Sequence, residues 1–176
     1  KSYGLSDYAC SGIMGNMVAE SGINSSNVQG SYLKSNPDEY NSNYVAKVDS
    51  GAISRYDFIY NGPGGGGFGL VQFTYDAYKA ELYDLAKSEG KSIADVGVQI
   101  AVFINQIKAS GVFDKLNNAT SVKDASNIML LQYERPKDQG VGVQNKRASY
   151  SQSIYSQYAG TGGGSTGGNS SNPYTI

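Results

Sequence analysis

The chain has 176 residues, with 14 Lys and Arg against 15 Asp and Glu, a net charge of −1 and no long run of either sign. That length gives one domain with a sizeable core, and that balance leaves no electrostatic footprint for nucleic acid or an anionic membrane. The complete absence of histidine excludes Ser-His-Asp and Cys-His catalysis and the zinc sites that rely on imidazole, so neither a metal nor a cofactor is expected and the available catalysts are carboxylates, hydroxyls and Lys.

Ser6 can cap a first helix running to about Glu20, with Cys10, Ile13, Met14 and Met17 as its apolar stripe. Cys10 is the only cysteine, which rules out an intrachain disulfide and fits a small core residue. Glu20 ends this helix immediately before the stop signal Ser21-Gly22, and by helical spacing it shares the face of Ile13, Asn16 and Met17 that the helix should bury. Burial disfavours an ionised carboxylate, and the negative end of the helix dipole, with Gly22 in a left-handed cap, acts in the same direction. Both effects suit Glu20 to proton donation, which a general acid for glycoside cleavage requires; the plainer alternative is a solvated last-turn glutamate.

From Ile23 to about Phe73 the helical period disappears in favour of Asn, Ser, Gly and Tyr. Two short extended pieces, Tyr44–Val48 and Arg55–Tyr60, flank the turn-forming Asp49-Ser50-Gly51 and predict a small hairpin, and a glycine-rich loop follows over Asn61–Gly67. Thr74 can cap a helix carrying Tyr78, Leu82 and Leu85 and stopping at Gly90. Ser92 and Asp95 form a capping pair for a helix with Val96, Ile100, Phe103 and Ile107, closed by Gly111. Ser121 and Asp124 repeat the pairing for a helix with Ala125, Ile128, Met129 and Gln132 that ends at Pro136, and a last helix over about Val143 to Tyr158 presents Ile154, Tyr155 and Tyr158. The expected architecture is α+β and mostly α: one domain over residues 1–159, with a small β-hairpin insertion and a glycine-rich loop. The Gly/Ser-rich residues 160–176 read as a flexible linker to a further module. The chain opens Lys-Ser-Tyr-Gly-Leu and shows no apolar signal core and no run of about 18 apolar residues, so no membrane span is expected and it reads as cut from something larger. Fifteen tyrosines suit sugar recognition, since a ring can stack on a pyranose face while its hydroxyl bonds to the polar rim.

Gly64-Gly65-Gly66-Gly67-Phe68-Gly69 formally matches a dinucleotide fingerprint, yet any glycine run does so, and no βαβ alternation follows. Gly69-Leu70-Val71-Gln72-Phe73-Thr74 is more informative when read with Glu20-Ser21 closing a helix. With Gly12-Ile13-Met14-Gly15-Asn16-Met17-Val18-Ala19-Glu20-Ser21-Gly22, Val48-Asp49-Ser50-Gly51 and Tyr133-Glu134-Arg135-Pro136, this stretch resembles the phage tail lysozyme domain of the lysozyme and lytic transglycosylase superfamily. The resemblance covers about Gly4 to Tyr158 and rests on four weak motifs in the right order.

The resemblance implies a lysozyme-like helical fold that cleaves peptidoglycan, in which Glu20 protonates the glycosidic oxygen between N-acetylmuramic acid and N-acetylglucosamine. Gln72 and Thr74 would line the cleft and bind sugar, with Phe68 beside them and Tyr133 on the facing helix wall; Gln72 would at the same time hold its turn onto the first helix. Asp49 at the expected hairpin turn is the candidate second carboxylate, with Asp57 as runner-up and a further sugar contact. The Asn-Ala-Tyr motif of many transglycosylases is absent, its place taken by Gln132-Tyr133-Glu134-Arg135-Pro136, which favours a hydrolase; Glu134 and Arg135 can equally form a structural ion pair. A muramidase is therefore expected, with a lytic transglycosylase or a non-catalytic glycan-binding module as alternatives. The implied partner is the bacterial peptidoglycan strand, met by a monomeric domain that is extracellular or carried on a virion tail.

Overall fold

The computed structural model describes residues 3–35, 41–61 and 66–159. Helix α1 (Asp7–Ser21) begins where Ser6 Oγ accepts from Ala9 N at 3.2 Å and ends at Gly22, whose φ of +64° lets its N–H reach back to Val18 O. Both boundaries agree with the sequence reading, and the face that carries Glu20 is buried at Ile13, Asn16 and Met17. Short α2 (Gly30–Ser35) and α3 (Asn41–Ser50) follow, then a π-helical turn at Asp57–Asn61. The remaining elements are α4 (Asp76–Ser88), α5 (Val96–Ala109), α6 (Val112–Asn117), α7 (Val122–Ile128), a second π-helical turn continuing it over Met129–Glu134, and α8 (Val141–Tyr158).

The expected β-hairpin does not form. Tyr44–Val48 lies within α3, because Tyr44, Val45 and Val48 recur at three and four residues and one helical face buries all three, which alternation across a strand could not do. Asp49 and Ser50 are the end of that helix, and Gly51 at φ +83° turns the chain out of it. In place of the second strand, the chain makes one helical turn that widens into the first π turn. Adjacent Phe58 and Ile59 go into the core, while Tyr56 and Tyr60 stay outside with ring centroids 4.8 Å apart. Among the described residues the β pairing is limited to isolated bridges of Phe68 with Val28 and with Phe73. Residues 62–65 of the glycine-rich loop and the expected linker 160–176 lie outside the described residues.

The later helices start much as their caps predict. Asp95 Oδ1 accepts from Val98 N at 2.9 Å while Ser92 Oγ accepts from Ala94 N, and Ser121 Oγ accepts from Asp124 N at 3.1 Å. Thr74 is the exception, since its hydroxyl donates to Gln72 O and Tyr75 occupies the cap of α4 without a side-chain bond. The segment after Gly111, not assigned from sequence, forms α6.

Helix α1 packs on α7 and α8 at a separation that only small residues permit. A Cβ on Gly12 would stand 2.7 Å from Ala125 C, and one on Gly15 would stand 2.5 Å from Ser151 N. The buried stripe of α5, from Val98 through Val102, Phe103, Ile104 and Ile107, completes the core with Leu82 and Ala86 of α4. No described helix is long and apolar enough to cross a membrane. Because the Gly15 contact is backbone to backbone, Gly15→Ala should cost about 1–3 kcal/mol and lower the melting temperature. Gly142→Ala, on α8 with nothing within 4 Å of its added Cβ, should stabilise by up to about 1 kcal/mol in the same thermal unfolding assay.

Candidate active site

Glu20 stands on the last turn of α1 with its side chain 20% exposed, and Arg147 of α8, 9% exposed, donates from Nη2 to its Oε1. The other arm of the guanidinium, Nη1, donates to Asn16 Oδ1 at 3.0 Å. Asn16 is itself fixed, since its amide donates to Gly12 O at 2.9 Å and to Ser126 O at 3.1 Å on α7. The negative end of α1, which carries no basic residue in its own last turn, thereby meets a cation supplied from α8. Glu20 is thus neither isolated nor the fully solvated surface residue of the plainer sequence reading. It is a half-buried side chain in an ion pair with a guanidinium that is itself largely buried.

A second carboxyl belongs to the same group. The second π turn delivers Glu134, the last residue of that turn, and the chain leaves it at Arg135 with φ +46° before Pro136. Glu134 Oε1 is closed off from solvent and has no hydrogen-bond partner. Burial pushes the Glu134 carboxyl well above the ordinary glutamate range, the negative charge of Glu20 adds to the effect, and Arg147 opposes it. The site therefore holds one guanidinium, one carboxylate paired with it, and one buried carboxyl whose charged form its surroundings disfavour. Arg135 forms no ion pair with Glu134; its Nε donates to Gln132 O at 3.1 Å. Neither Glu134 nor Arg147 was identified from sequence. Arg147 does carry a signal, because it lies four and seven residues before the buried Ser151 and Ile154, and a charge on a buried stripe needs a partner.

The Gly-Leu-Val-Gln turn is joined directly to this group. Ser21, next to Glu20, donates from its hydroxyl to Leu70 O at 2.9 Å, and Leu70 N donates to Gln99 Oε1 at 2.9 Å. The Gln99 amide reaches on to Ser25 O at 2.7 Å and Ile93 O at 2.8 Å, so one buried side chain of α5 holds three loops in register. Gly69, at φ +79°, lies against that amide, where a Cβ would fall 2.5 Å from Gln99 Oε1. Gln72 adopts φ +51°, and its amide donates to Gly69 O at 3.0 Å and to Asn27 O at 3.2 Å, so it ties the turn to the loop after α1 and not to the helix itself. Thr74 is exposed at the edge of the turn. Phe68 is fully buried, edge-on to Phe58 with ring centroids 5.8 Å apart, so it has no face to offer a sugar. Three non-glycine residues among those described have a left-handed backbone: Ile23, Gln72 and Arg135. Ile23 and Arg135 fall within three residues of Glu20 and Glu134, and Gln72 closes the turn that Ser21 holds. Such strain gathers where a fold over-determines a site.

The remaining candidates are held by contacts of their own. Asp49 Oδ1 accepts from Ile93 N at 3.0 Å and its carbonyl accepts from Lys87 at 2.6 Å, which ties the end of α3 to the loop before α5. Asp57 accepts from Ser54 Oγ at 2.6 Å and Asn61 Nδ2 at 2.8 Å, two bonds that hold its carboxyl below the ordinary range and cap the first π turn. Tyr133 precedes Glu134 and packs edge-on against Phe103, with its hydroxyl donating to Gln106 Oε1 at 2.6 Å. Among the described residues no three acidic or thiol side chains converge to hold a metal ion. A hollow along Ser149, Gln152, Ser153, Ser156 and Gln157 of α8 includes none of the Glu20 group and offers no ionisable side chain for acid–base chemistry.

Because folded Glu134 binds its proton more tightly than unfolded glutamate does, its contribution to stability is largest below the ordinary glutamate range and falls as pH rises towards the folded value. Glu134→Gln should therefore be more stable than wild type at neutral pH, by about 1.4 kcal/mol for each unit separating the folded and unfolded values, with the gap closing at acid pH. Urea unfolding of the two proteins across that range measures it.

The sequence profile of the phage tail lysozyme family matches residues 1–158. No curated protein and no solved structure matched the chain. The match takes in Glu20, the Gly-Leu-Val-Gln turn, Glu134 and Arg147 together, and it spans every described element up to the end of α8. The chain belongs to the phage tail lysozyme family, a family of peptidoglycan-degrading enzymes.

Proposed function

We propose that this domain is a muramidase, hydrolysing the β-1,4 bond between N-acetylmuramic acid and N-acetylglucosamine, with Glu20 protonating the leaving oxygen and no cofactor. The observation that carries this reading is the position of Glu20: half-buried at the end of α1, beside Ser21 and the turn it holds, with Arg147 paired to it. Partial burial excludes bulk water while leaving the carboxyl reachable, and a cationic neighbour stabilises the carboxylate left after the proton is given up. At the edge of the same turn, exposed Thr74 and Tyr75 offer a hydroxyl and a ring to a sugar, roles for which buried Phe68 is unsuited. The substrate is the glycan strand of the bacterial cell wall, reached from a virion.

A second reading, lytic transglycosylation, is favoured by one observation. The two aspartates expected to face Glu20, Asp49 and Asp57, both have their carboxylates in local caps. If no ionised carboxylate activates water, Glu20 acts as acid and then base, and the muramic acid's own hydroxyl closes on its anomeric carbon.

Glu20→Gln should leave the domain folded and reduce release of soluble sugar from purified cell walls at least about 100-fold; retention of more than about a tenth of the activity excludes the acid role. Mass spectrometry of the wild-type digest separates the two chemistries, since hydrolysis leaves reducing ends and transglycosylation leaves 1,6-anhydromuramic acid.

A further inference from the structure

Arg147 touches one oxygen of Glu20 and not the other. Its Nη2 donates to Oε1, while among the described residues no group donates to Oε2. A guanidinium only donates, so the oxygen it meets has to accept, whether Glu20 is charged or protonated. In a protonated carboxyl the carbonyl oxygen is the better acceptor, and the hydroxyl is the other oxygen. We infer that Arg147 divides the two oxygens of Glu20, keeping Oε1 as an acceptor so that the acid's proton is carried on Oε2, and that Asn16 positions Arg147 for this division. This assignment rests on Glu20 being the general acid proposed above, and it names the atom through which the acid acts.

The guanidinium is aimed from behind. Asn16, fully buried on α1 one turn before Glu20, accepts from Nη1 through Oδ1 at 3.0 Å. Its amide is fixed in that orientation, because Nδ2 donates to Gly12 O at 2.9 Å, Ser126 O at 3.1 Å and Ser126 Oγ at 3.3 Å. Turned over, it would set N–H groups against the guanidinium and an oxygen against two carbonyls. On the α8 side, Ser151 Oγ donates to Arg147 O at 2.9 Å, at the contact where Gly15 lets the two helices close. One arm of the planar fork is thus gripped by a fixed acceptor, and the second arm falls on Oε1. A neutral amide at position 16 takes this hydrogen bond without bringing another negative charge to the guanidinium.

With Oε1 held, Oε2 is the oxygen left to meet the glycan. The Oε2–H bond breaks as the proton bonds to the glycosidic oxygen, and the bond from that oxygen to the anomeric carbon breaks with both electrons going to the oxygen. The negative charge left on Glu20 spreads over both of its oxygens, so the Nη2 bond to Oε1 becomes a charge-assisted one as the charge appears. An interaction that strengthens along the reaction path raises kcat and leaves substrate binding alone. Arg147 and Asn16 act through Glu20 and are positioning residues.

Glutamine at position 20 reproduces the protonated acid, with a carbonyl oxygen for Arg147 and an amide N–H in place of the Oε2 proton. Nitrogen-15 NMR of the Arg147 Nη2 group in the full chain therefore tests the division directly. Its two protons should give separate signals, as a held group does, in both wild type and Glu20→Gln. A single merged signal in Glu20→Gln overturns the inference, because Arg147 would then hold only the charged form. Arg147→Lys keeps the charge but has no fork to serve Asn16 and Oε1 at once. In protein shown by thermal unfolding to be folded, its kcat on soluble cell-wall glycan should fall at least about tenfold with KM within about twofold, and Asn16→Ala should do the same. Wild-type kcat in folded Arg147→Lys also overturns it, and should neither variant fold, the NMR comparison decides. A lytically active Glu20→Gln would remove the acid reading itself, whereas an inactive one with a merged Nη2 signal removes only the division of the oxygens.

Discussion

Arg147 enters the contact between α1 and α8 with both arms of its guanidinium committed, one to Asn16 and one to Glu20. This charge lies in the core of a helical packing whose separation is set by Gly12 and Gly15, and it can be buried there only because both partners are held in turn. Asn16 is oriented by Gly12 O and Ser126 O, so a single amide connects three helices. Removing Asn16 and Glu20 together would leave the guanidinium buried with no compensating partner. The position of Glu20 is therefore a consequence of how α1, α7 and α8 pack.

The second constraint is the polar ladder under the Gly-Leu-Val-Gln turn. Ser21 fastens Leu70 to α1, and Gln99 fastens Leu70, Ser25 and Ile93 to α5. Asp49 continues this ladder at Ile93, where its carboxylate caps a backbone N–H at the far side of the loop. Each of these side chains satisfies backbone groups that have no sheet to pair with, because the segment between α1 and α4 is held by side-chain amides and hydroxyls in place of strands. Asp49 and Gln72, which the sequence reading assigns to the cleft, are thus occupied in holding this backbone in one shape.

What was legible in the sequence was local. The caps Ser6, Asp95 and Ser121 and the left-handed Gly22 declare their helices because each satisfies orphan backbone groups within four residues. Glu20 was legible for the same reason, as a carboxylate on a buried face next to a helix stop. Tyr44–Val48 was misread because its short apolar pattern fits both periods, and only the core decides that Tyr44, Val45 and Val48 go inward together. Glu134 and Arg147 were missed because their meaning depends on position in space. Arg147 meets Glu20 across 127 residues, and Glu134 is aimed by a π turn that no local signal in Met129–Glu134 announces. Within Tyr133-Glu134-Arg135-Pro136 the adjacent Arg135 is the partner that the sequence suggests for Glu134, whereas the cation that acts on it comes from α8.

The central claim is that a glycan bond is brought to Glu20 within the group formed with Arg147 and Glu134. A crystal structure of the Glu20→Gln protein soaked with a peptidoglycan tetrasaccharide tests it most directly. The account predicts the scissile oxygen about 3 Å from the amide at position 20, with a sugar ring along the Thr74 edge of the turn. A saccharide seated elsewhere, for instance along the Ser149–Gln157 face of α8 with position 20 still closed by Arg147, would contradict it.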